Sequence, residues 1–247
     1  MKRIINRSIT VLFALIFLYA TGHLLWIGYD SYQNKQTLLD AKELYSQPRE
    51  ARQSEAEVVG ENPFDSLHAV NEHIVGWLSI AGTAIEYPVM RADDNDYYLN
   101  RNYKDERNRA GSIFMDYRNR SIEESQHTIL YGHHMRDGTM FHDLEQFADE
   151  TFFSQTNDHF FDIEESQYNI EIFSAYYTTT DFYYIETDFA NDKAYGSFLE
   201  DIKERSIHSS SIEVTNNDRI ITFSTCDDGA GQDGRFVVHG KLVEVNS

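Results

Sequence analysis

Several residue types are scarce in this chain, and each scarcity narrows the class of protein. Its 247 residues include one cysteine, Cys226, so no disulfide can form within the chain and the fold must be held by its core. Basic residues are also scarce, because 21 Lys and Arg stand against 41 Asp and Glu and leave a net charge of −20. Such a chain repels phosphate backbones, which argues against a nucleic-acid partner.

Long apolar runs are missing from most of the chain, and the exception lies near the N-terminus. Residues 9–27 are almost entirely apolar, and as a helix these 19 residues would rise about 28 Å, close to the hydrocarbon thickness of a bilayer. Three basic residues precede the run, so the positive-inside rule predicts a cytoplasmic N-terminus and an extracellular remainder. A cleaved signal peptide is the alternative, but the best cleavage site, Leu18-Tyr19-Ala20, is poor. The sequence therefore favours an uncleaved membrane anchor.

Three regions follow from this pattern. Residues 1–29 form a cytoplasmic tip and anchor, residues 30–61 a polar helical stalk, and residues 62–247 a folded extracellular domain. Pro48 is expected to interrupt the helix of the stalk. Asn62-Pro63 has the form of a helix start, and the apolar spacing that follows predicts a helix that ends near Gly76.

Short strands and turns dominate the chain from Trp77 onwards. Candidate strands lie at residues 77–80, 85–90, 111–116, 127–131 and 168–180, and around Cys226 and Arg235, whereas helix-like segments lie at 140–147, 150–156 and 191–206. Many short strands with helices as insertions predict a mostly β fold, with a closed or nearly closed barrel.

Cys226 lies where the apolar strand 220–223 gives way to a loop of acids and glycines. A lone cysteine is more often a small buried hydrophobe than a nucleophile, and a thiol is mostly protonated at neutral pH. Catalysis therefore requires an imidazole or a positive charge beside it, and His133 could supply the imidazole. Arg235 could bind an oxyanion or an extended peptide, although a surface salt bridge would explain it equally well. Together the three side chains describe acyl transfer through a thioester.

Five segments of the chain resemble the class B sortases, the membrane-anchored cysteine transpeptidases of Gram-positive bacteria. The segments are GWLSIAGT at 76–83 with YPV at 87–89, DNDYYLN at 94–100, AGSIFMD at 110–116, ILYGHHM at 129–135 with GTMF at 138–141, and TFSTCD at 222–227. The resemblance extends over residues 62–245. One departure is Phe223, where the family usually has leucine in its Thr-Leu-x-Thr-Cys signature.

This resemblance implies a fold and a set of site residues. The implied fold is an eight-stranded sortase-type β-barrel with an N-terminal helical extension and a long helix between strands six and seven, which residues 191–206 fit. The implied catalytic residues are His133, Cys226 and Arg235. The implied walls of the substrate groove are Leu99, Thr180, Tyr184, Ile185 and Ser224. No metal or cofactor is implied.

The resemblance also implies a function. The enzyme would cleave an Asn-Pro-x-Thr-type sorting motif in surface proteins through a Cys226 thioester. It would then transfer the acyl group to an amine of a peptidoglycan precursor or crossbridge, with slow peptide hydrolysis as a side reaction. Its partners would be these surface proteins, the cell-wall amine and the cell membrane, which the N-terminal helix would enter.

Three alternatives to this function are compatible with the sequence. A pilus polymerase would use the same site with a pilin lysine as the nucleophile. A metal hydrolase would use His133, His134, His142, Asp137 and Asp143, although adjacent histidines rarely face one ion. A non-catalytic surface adhesin would leave Cys226 and His133 far apart in space.

Overall fold

The computed structural model describes residues 2–54, 62–155, 158–179, 181–226 and 234–245, with the side chains of residues 2–8, 47–54 and 226 left out. Four α-helices lie within these ranges: α1 Lys2–Ser54, α2 Pro63–His68, α3 Glu150–Phe153 and α4 Asp192–Glu204. The strands there are β1 Ile74–Ser79, β2 Glu86–Met90, β3 Ile113–Met115, β4 His127–His133, β5 Phe160–Asp162, β6 Gln167–Thr178, β7 Arg219–Cys226 and β8 Arg235–Glu244. Two 3-10 helices, Tyr97–Asn100 and His142–Ala148, complete the described elements.

The eight strands close into one barrel in the order β1-β2-β3-β4-β7-β8-β6-β5, with β5 paired to β1. This confirms the expected eight-stranded barrel with helical insertions. Two pairs in it are parallel, β2 with β3 and β4 with β7. Parallel neighbours need a long crossover, and the chain between β4 and β7 supplies one that contains β5, β6 and α4. Helix α4 occupies the place expected of the helix between strands six and seven.

Helix α1 packs against the barrel along its C-terminal half. Ala41 and Tyr45 are buried, and the Tyr45 ring stacks on Trp77 with the centroids 4.3 Å apart. Asn34 is buried as well, and its amide donates to Thr139 Oγ1 at 3.3 Å. The expectation that Pro48 interrupts this helix is wrong, since the helix continues to Ser54.

The N-terminal half of α1 presents its apolar side chains outward. Exposed apolar residues include Ile9, Phe13, Phe17 and Trp26. Among the described residues, α1 is the one helix that is long and apolar enough to cross a membrane. It is therefore a candidate membrane anchor.

The helix predicted over residues 62–76 is shorter than its apolar spacing suggested. It ends at His68, whose Nε2 lies 2.9 Å from the carbonyl oxygen of Ile74, and Ile74 already begins β1. Gly76 lies within this strand, where a Cβ would come 2.4 Å from the Phe161 ring. Close packing across the barrel therefore overrides the helical periodicity, and it also explains the glycine.

Three buried histidines make the fold sensitive to acid. Burial lowers the pKa of His127 and of His159 to about 4, and it lowers the pKa of His239 well below the ordinary value. The unfolded chain binds these protons near pH 6.5, so the free energy of unfolding should fall as the pH drops from about 6.5 towards 4. His127 and His159 should each contribute a loss of about 3 kcal/mol across that interval. Urea unfolding of the full chain in detergent at pH 7.5, 6 and 5 measures this loss.

Replacement of one buried histidine isolates its contribution. His159→Gln should reduce the pH dependence of the unfolding free energy, because glutamine does not take up a proton in this range. An unfolding free energy that stays constant between pH 7 and pH 5 would contradict the prediction.

Candidate active site

The parallel pairing of β4 with β7 brings the ends of both strands to the same edge of the barrel. Their register runs from His127 opposite Ile220 to His133 opposite Cys226, without a shift. The backbone of Cys226 is thus the direct neighbour of His133, although 93 positions separate the two residues in the sequence. The adhesin alternative required these positions to be far apart, which the pairing contradicts.

Strand β8 adds the arginine to the same edge. The antiparallel register of β7 and β8 runs from Arg219 opposite Leu242 to Ser224 opposite Val237. Arg235 is the first residue of β8, which runs antiparallel to β7, so it lies at the edge of the barrel where β7 ends at Cys226. The Arg235 side chain is half-buried, and its Nη1 donates to the carbonyl oxygen of Gly234 at 2.9 Å. Positions 133, 226 and 235 thus lie at the same edge of three neighbouring strands, and we call these three positions the row.

A backbone carbonyl orients the His133 ring. Its Nε2 lies 2.9 Å from the carbonyl oxygen of Leu99, in the 3-10 helix Tyr97–Asn100. Since a carbonyl can only accept, Nε2 carries the hydrogen, and the neutral ring has its lone pair on Nδ1. The interaction fixes both the tautomer and the orientation of the imidazole.

Four of the five predicted groove residues lie in the described chain: Leu99, whose carbonyl faces His133, and Tyr184, Ile185 and Ser224. Tyr184 and Ser224 are buried and joined by a hydrogen bond of 2.8 Å between their hydroxyl groups. Ile185 is half-buried, and its carbonyl accepts a hydrogen bond of 2.9 Å from Arg118 Nη2. Thr180 lies outside the described residues. The part that each of these residues plays with substrate stays a prediction.

A charged cluster that the sequence did not reveal contacts the predicted groove residue Ile185 through Arg118. Asp116 is fully buried, and Arg118 donates to both of its carboxylate oxygens, at 2.8 and 2.7 Å. Tyr131 also donates to Asp116, at 2.8 Å. Burial alone would raise the pKa of Asp116, but the hydrogen bonds from Arg118 and Tyr131 outweigh it and lower the pKa. Asp116 and Tyr131 lie within the quoted family segments, yet only the fold reveals that they meet.

The histidine next to His133 belongs to a different environment. The His134 ring lies 4.6 Å from the ring of His142, and its Nε2 is 3.5 Å from a carboxylate oxygen of Glu145. Within the described ranges, no group of three His, Cys, Asp or Glu residues is arranged to hold a metal ion. His133 and His134 therefore face separate partners.

Comparisons with known proteins agree with this geometry. The family model of the sortase domain matches residues 78–243. A protein named sortase B from Listeria monocytogenes is 42% identical over 246 residues, which cover 98% of each chain. The structure of a sortase B–substrate complex from Staphylococcus aureus is 37% identical, covers 88% of this chain and 100% of that chain, and has a TM-score of 0.80. A sortase B structure complexed with triglycine is 37% identical, covers 87% of this chain and 100% of that chain, and has a TM-score of 0.79.

The barrel, the row at its edge and these matches define a cysteine transpeptidase. The chain belongs to the sortase family. Its similarity to proteins named sortase B confirms the class B resemblance of the sequence.

Gly111 offers a test of the carbonyl that orients His133. It has φ of 62°, and a Cβ there would lie 2.5 Å from the Leu99 carbonyl oxygen and 2.6 Å from that of Tyr98. Gly111→Ala should displace the acceptor of the His133 hydrogen bond and lower kcat for a peptide substrate by about tenfold. Steady-state kinetics with a fluorogenic peptide measure this change.

Gly138 provides the matched control. It also has a positive φ, of 83°, but nothing lies within 4 Å of the position of its Cβ. Gly138→Ala should therefore carry similar backbone strain while it leaves kcat nearly unchanged. Equal kinetic effects of the two substitutions would contradict a role for the Leu99 carbonyl.

Proposed function

We propose that this chain cleaves an Asn-Pro-x-Thr-type sorting motif in surface proteins and transfers the acyl group to an amine of the cell wall. The observation that carries the proposal is the pairing of His133 with Cys226 at the ends of two parallel strands. Paired positions on neighbouring strands share one face of the sheet, so the imidazole and the thiol are expected to project to the same side.

The side chains of His133, Cys226 and Arg235, which we call the catalytic row, suit a thioester mechanism. The Cys226 thiol gives its proton to His133, the sulfur forms a bond to the carbonyl carbon of the motif Thr, and the C–N bond after Thr breaks. His133 donates a proton to the departing amine, which leaves a neutral imidazole. An incoming amine then attacks the thioester carbonyl, gives its proton to His133 and releases the thiolate.

Arg235 is assigned to the charge that develops in this reaction. Each tetrahedral intermediate carries an oxyanion, and a guanidinium in the same row stabilises that charge. Its planar set of donors can also bind the backbone carbonyls of an extended peptide. The hydrogen bond of Arg235 to the Gly234 carbonyl holds the side chain at this edge of the barrel.

Two similar structures support the proposed substrate classes. The Staphylococcus aureus sortase B is in complex with a substrate, and another sortase B structure is complexed with triglycine. A triglycine has a primary amine at its N-terminus, which is the kind of nucleophile that resolves a thioester. By this similarity, a peptide donor and a peptide amine acceptor are assigned to the present chain.

The apolar helix is assigned to the cell membrane. Basic residues lie before residue 9 and acids become frequent after residue 30, so the N-terminus is placed in the cytoplasm and the barrel outside the cell. The proposed division remains residues 1–29 for the tip and anchor, 30–61 for the stalk and 62–247 for the catalytic domain. Because residues 41 and 45 of the stalk are buried on the barrel, the anchor holds this domain close to the membrane surface.

Peptide turnover tests the proposal directly. The full chain in detergent should cleave an Asn-Pro-x-Thr peptide and, with triglycine added, should yield the transfer product in mass spectrometry. Cys226→Ala should abolish both products while it leaves the circular dichroism spectrum unchanged. Cleavage that persists in Cys226→Ala would refute the assignment. Transfer only to a lysine amine would favour a pilus polymerase.

The two adjacent histidines provide a second prediction. His133→Ala should lower kcat by roughly 100-fold or more, since it removes the general acid. His134→Ala should leave kcat within about twofold, because His134 contacts His142 and Glu145 rather than the catalytic row. Steady-state kinetics on the same peptide measure both values, and equal losses in the two variants would contradict the assigned roles.

A further inference from the structure

Four buried side chains form a continuous hydrogen-bonded chain beneath the groove. Tyr176 Oη lies 2.9 Å from His239 Nε2, and His239 Nδ1 lies 2.6 Å from Thr222 Oγ1. Thr222 Oγ1 is in turn 2.6 Å from His127 Nε2, and His127 Nδ1 is 2.6 Å from the carbonyl oxygen of Glu186. Tyr176 is 2% exposed and the other three side chains are fully buried. We call this set the buried polar chain.

The direction of every hydrogen bond in the buried polar chain follows from its end at the Glu186 carbonyl. The Glu186 carbonyl can only accept, so His127 Nδ1 carries a hydrogen, and in the neutral ring Nε2 must accept from the Thr222 hydroxyl. That hydroxyl has donated its one hydrogen, so it accepts from His239 Nδ1–H. His239 Nε2 then accepts from Tyr176. Every polar atom along this route is satisfied while both imidazoles are neutral, in agreement with the lowered pKa of His127 and His239.

At its His127 end, the buried polar chain is hydrogen-bonded to the loop between β6 and α4 through the carbonyl of Glu186. We call residues 181–191 the groove loop, because Tyr184 and Ile185 lie in it. Besides His127, Arg118 binds the Ile185 carbonyl, and Ser224 binds the Tyr184 hydroxyl. The ring of Phe182 lies 6.2 Å from that of Tyr176, so the other end of the buried polar chain also contacts this loop.

Thr222 is the centre of the arrangement. On β7 it lies two residues before Ser224 and four before Cys226, and alternate residues of a strand share a face. The buried polar chain therefore lies on the same face of the sheet as the groove residues, two rows below the catalytic row. The Thr222 hydroxyl is the one group that joins His127 to His239 along this hydrogen-bonded route.

We infer that the buried polar chain fixes the groove loop against the barrel, and that Thr222 is a positioning residue for the binding of the sorting motif. The part about substrate rests on the proposed function. The part about the loop does not, because it concerns only the attachment of Glu186 to His127. A fixed loop lowers the entropy cost of substrate binding, so its loss should raise KM more than it lowers kcat.

The experiment compares Thr222→Val with Thr222→Ser in the full chain in detergent. Valine keeps the shape but leaves His127 Nε2 and His239 Nδ1 without a partner, whereas serine restores the hydroxyl. Hydrogen exchange of residues 181–191 should be at least tenfold faster in Thr222→Val than in wild type, with strands β1 to β3 unchanged. Thr222→Ser should exchange like wild type. KM for the peptide should rise by about tenfold in the valine variant with kcat within twofold.

Nitrogen chemical shifts of 15N-histidine-labelled wild type provide a readout that needs no activity. Both His127 and His239 should be neutral with the hydrogen on Nδ1. A hydrogen on Nε2 of either ring would overturn the inference, as would wild-type exchange of the groove loop in Thr222→Val. If Thr222→Val does not fold, Tyr176→Phe removes the first donor only, and it must then speed exchange of the groove loop. If wild type leaves the peptide uncleaved, the proposed function fails, while exchange and tautomers still decide the structural part.

Discussion

The pairing of β4 with β7 is the constraint on which the rest of the site depends. Two parallel neighbours end at the same edge of a sheet, so a histidine and a cysteine that close their strands must meet there. A shift of the register by one residue would pair His133 with Thr225, and it would turn every side chain of the strand to the opposite face of the sheet. Seven consecutive pairs and a core on the inner face hold this register, so catalysis depends on the folding of the barrel as a whole.

Buried polar groups beneath the predicted groove are costly unless each has a hydrogen-bond partner, and this fold pairs them in two groups. Asp116 and Arg118 form one group, and the chain from Tyr176 to His127 forms the other. Both end on backbone carbonyls of the same loop, at Ile185 and at Glu186. The fold therefore places directional hydrogen bonds behind the predicted substrate groove, and leaves apolar packing to the barrel interior.

Residue types and spacing predicted the individual helices and strands of this structure better than the pairing between strands. The strands around Cys226 and Arg235 and the amphipathic helix over residues 191–206 follow from periodicity, and they agree with β7, β8 and α4. The prediction of a helix that reaches Gly76 was wrong, because packing in the barrel places Ile74 in strand β1. Three-residue β5 has too few residues for any period to show. Strand register depends on residues far apart in the sequence, so the resemblance to the family was needed to choose His133 as the catalytic histidine. For the same reason, the hydrogen-bond partners of Asp116 and Thr222 were visible only in the three-dimensional structure.

The most direct test of the central claim uses the single cysteine, because iodoacetamide can then alkylate no other thiol. Alkylation rates of the full chain in detergent would be compared near neutral pH for wild type, His133→Ala and His134→Ala. If His133 is the neighbour of Cys226, its loss should slow alkylation several-fold, because an adjacent imidazolium stabilises the reactive thiolate. His134→Ala should react like wild type. Identical rates in all three proteins would contradict the account.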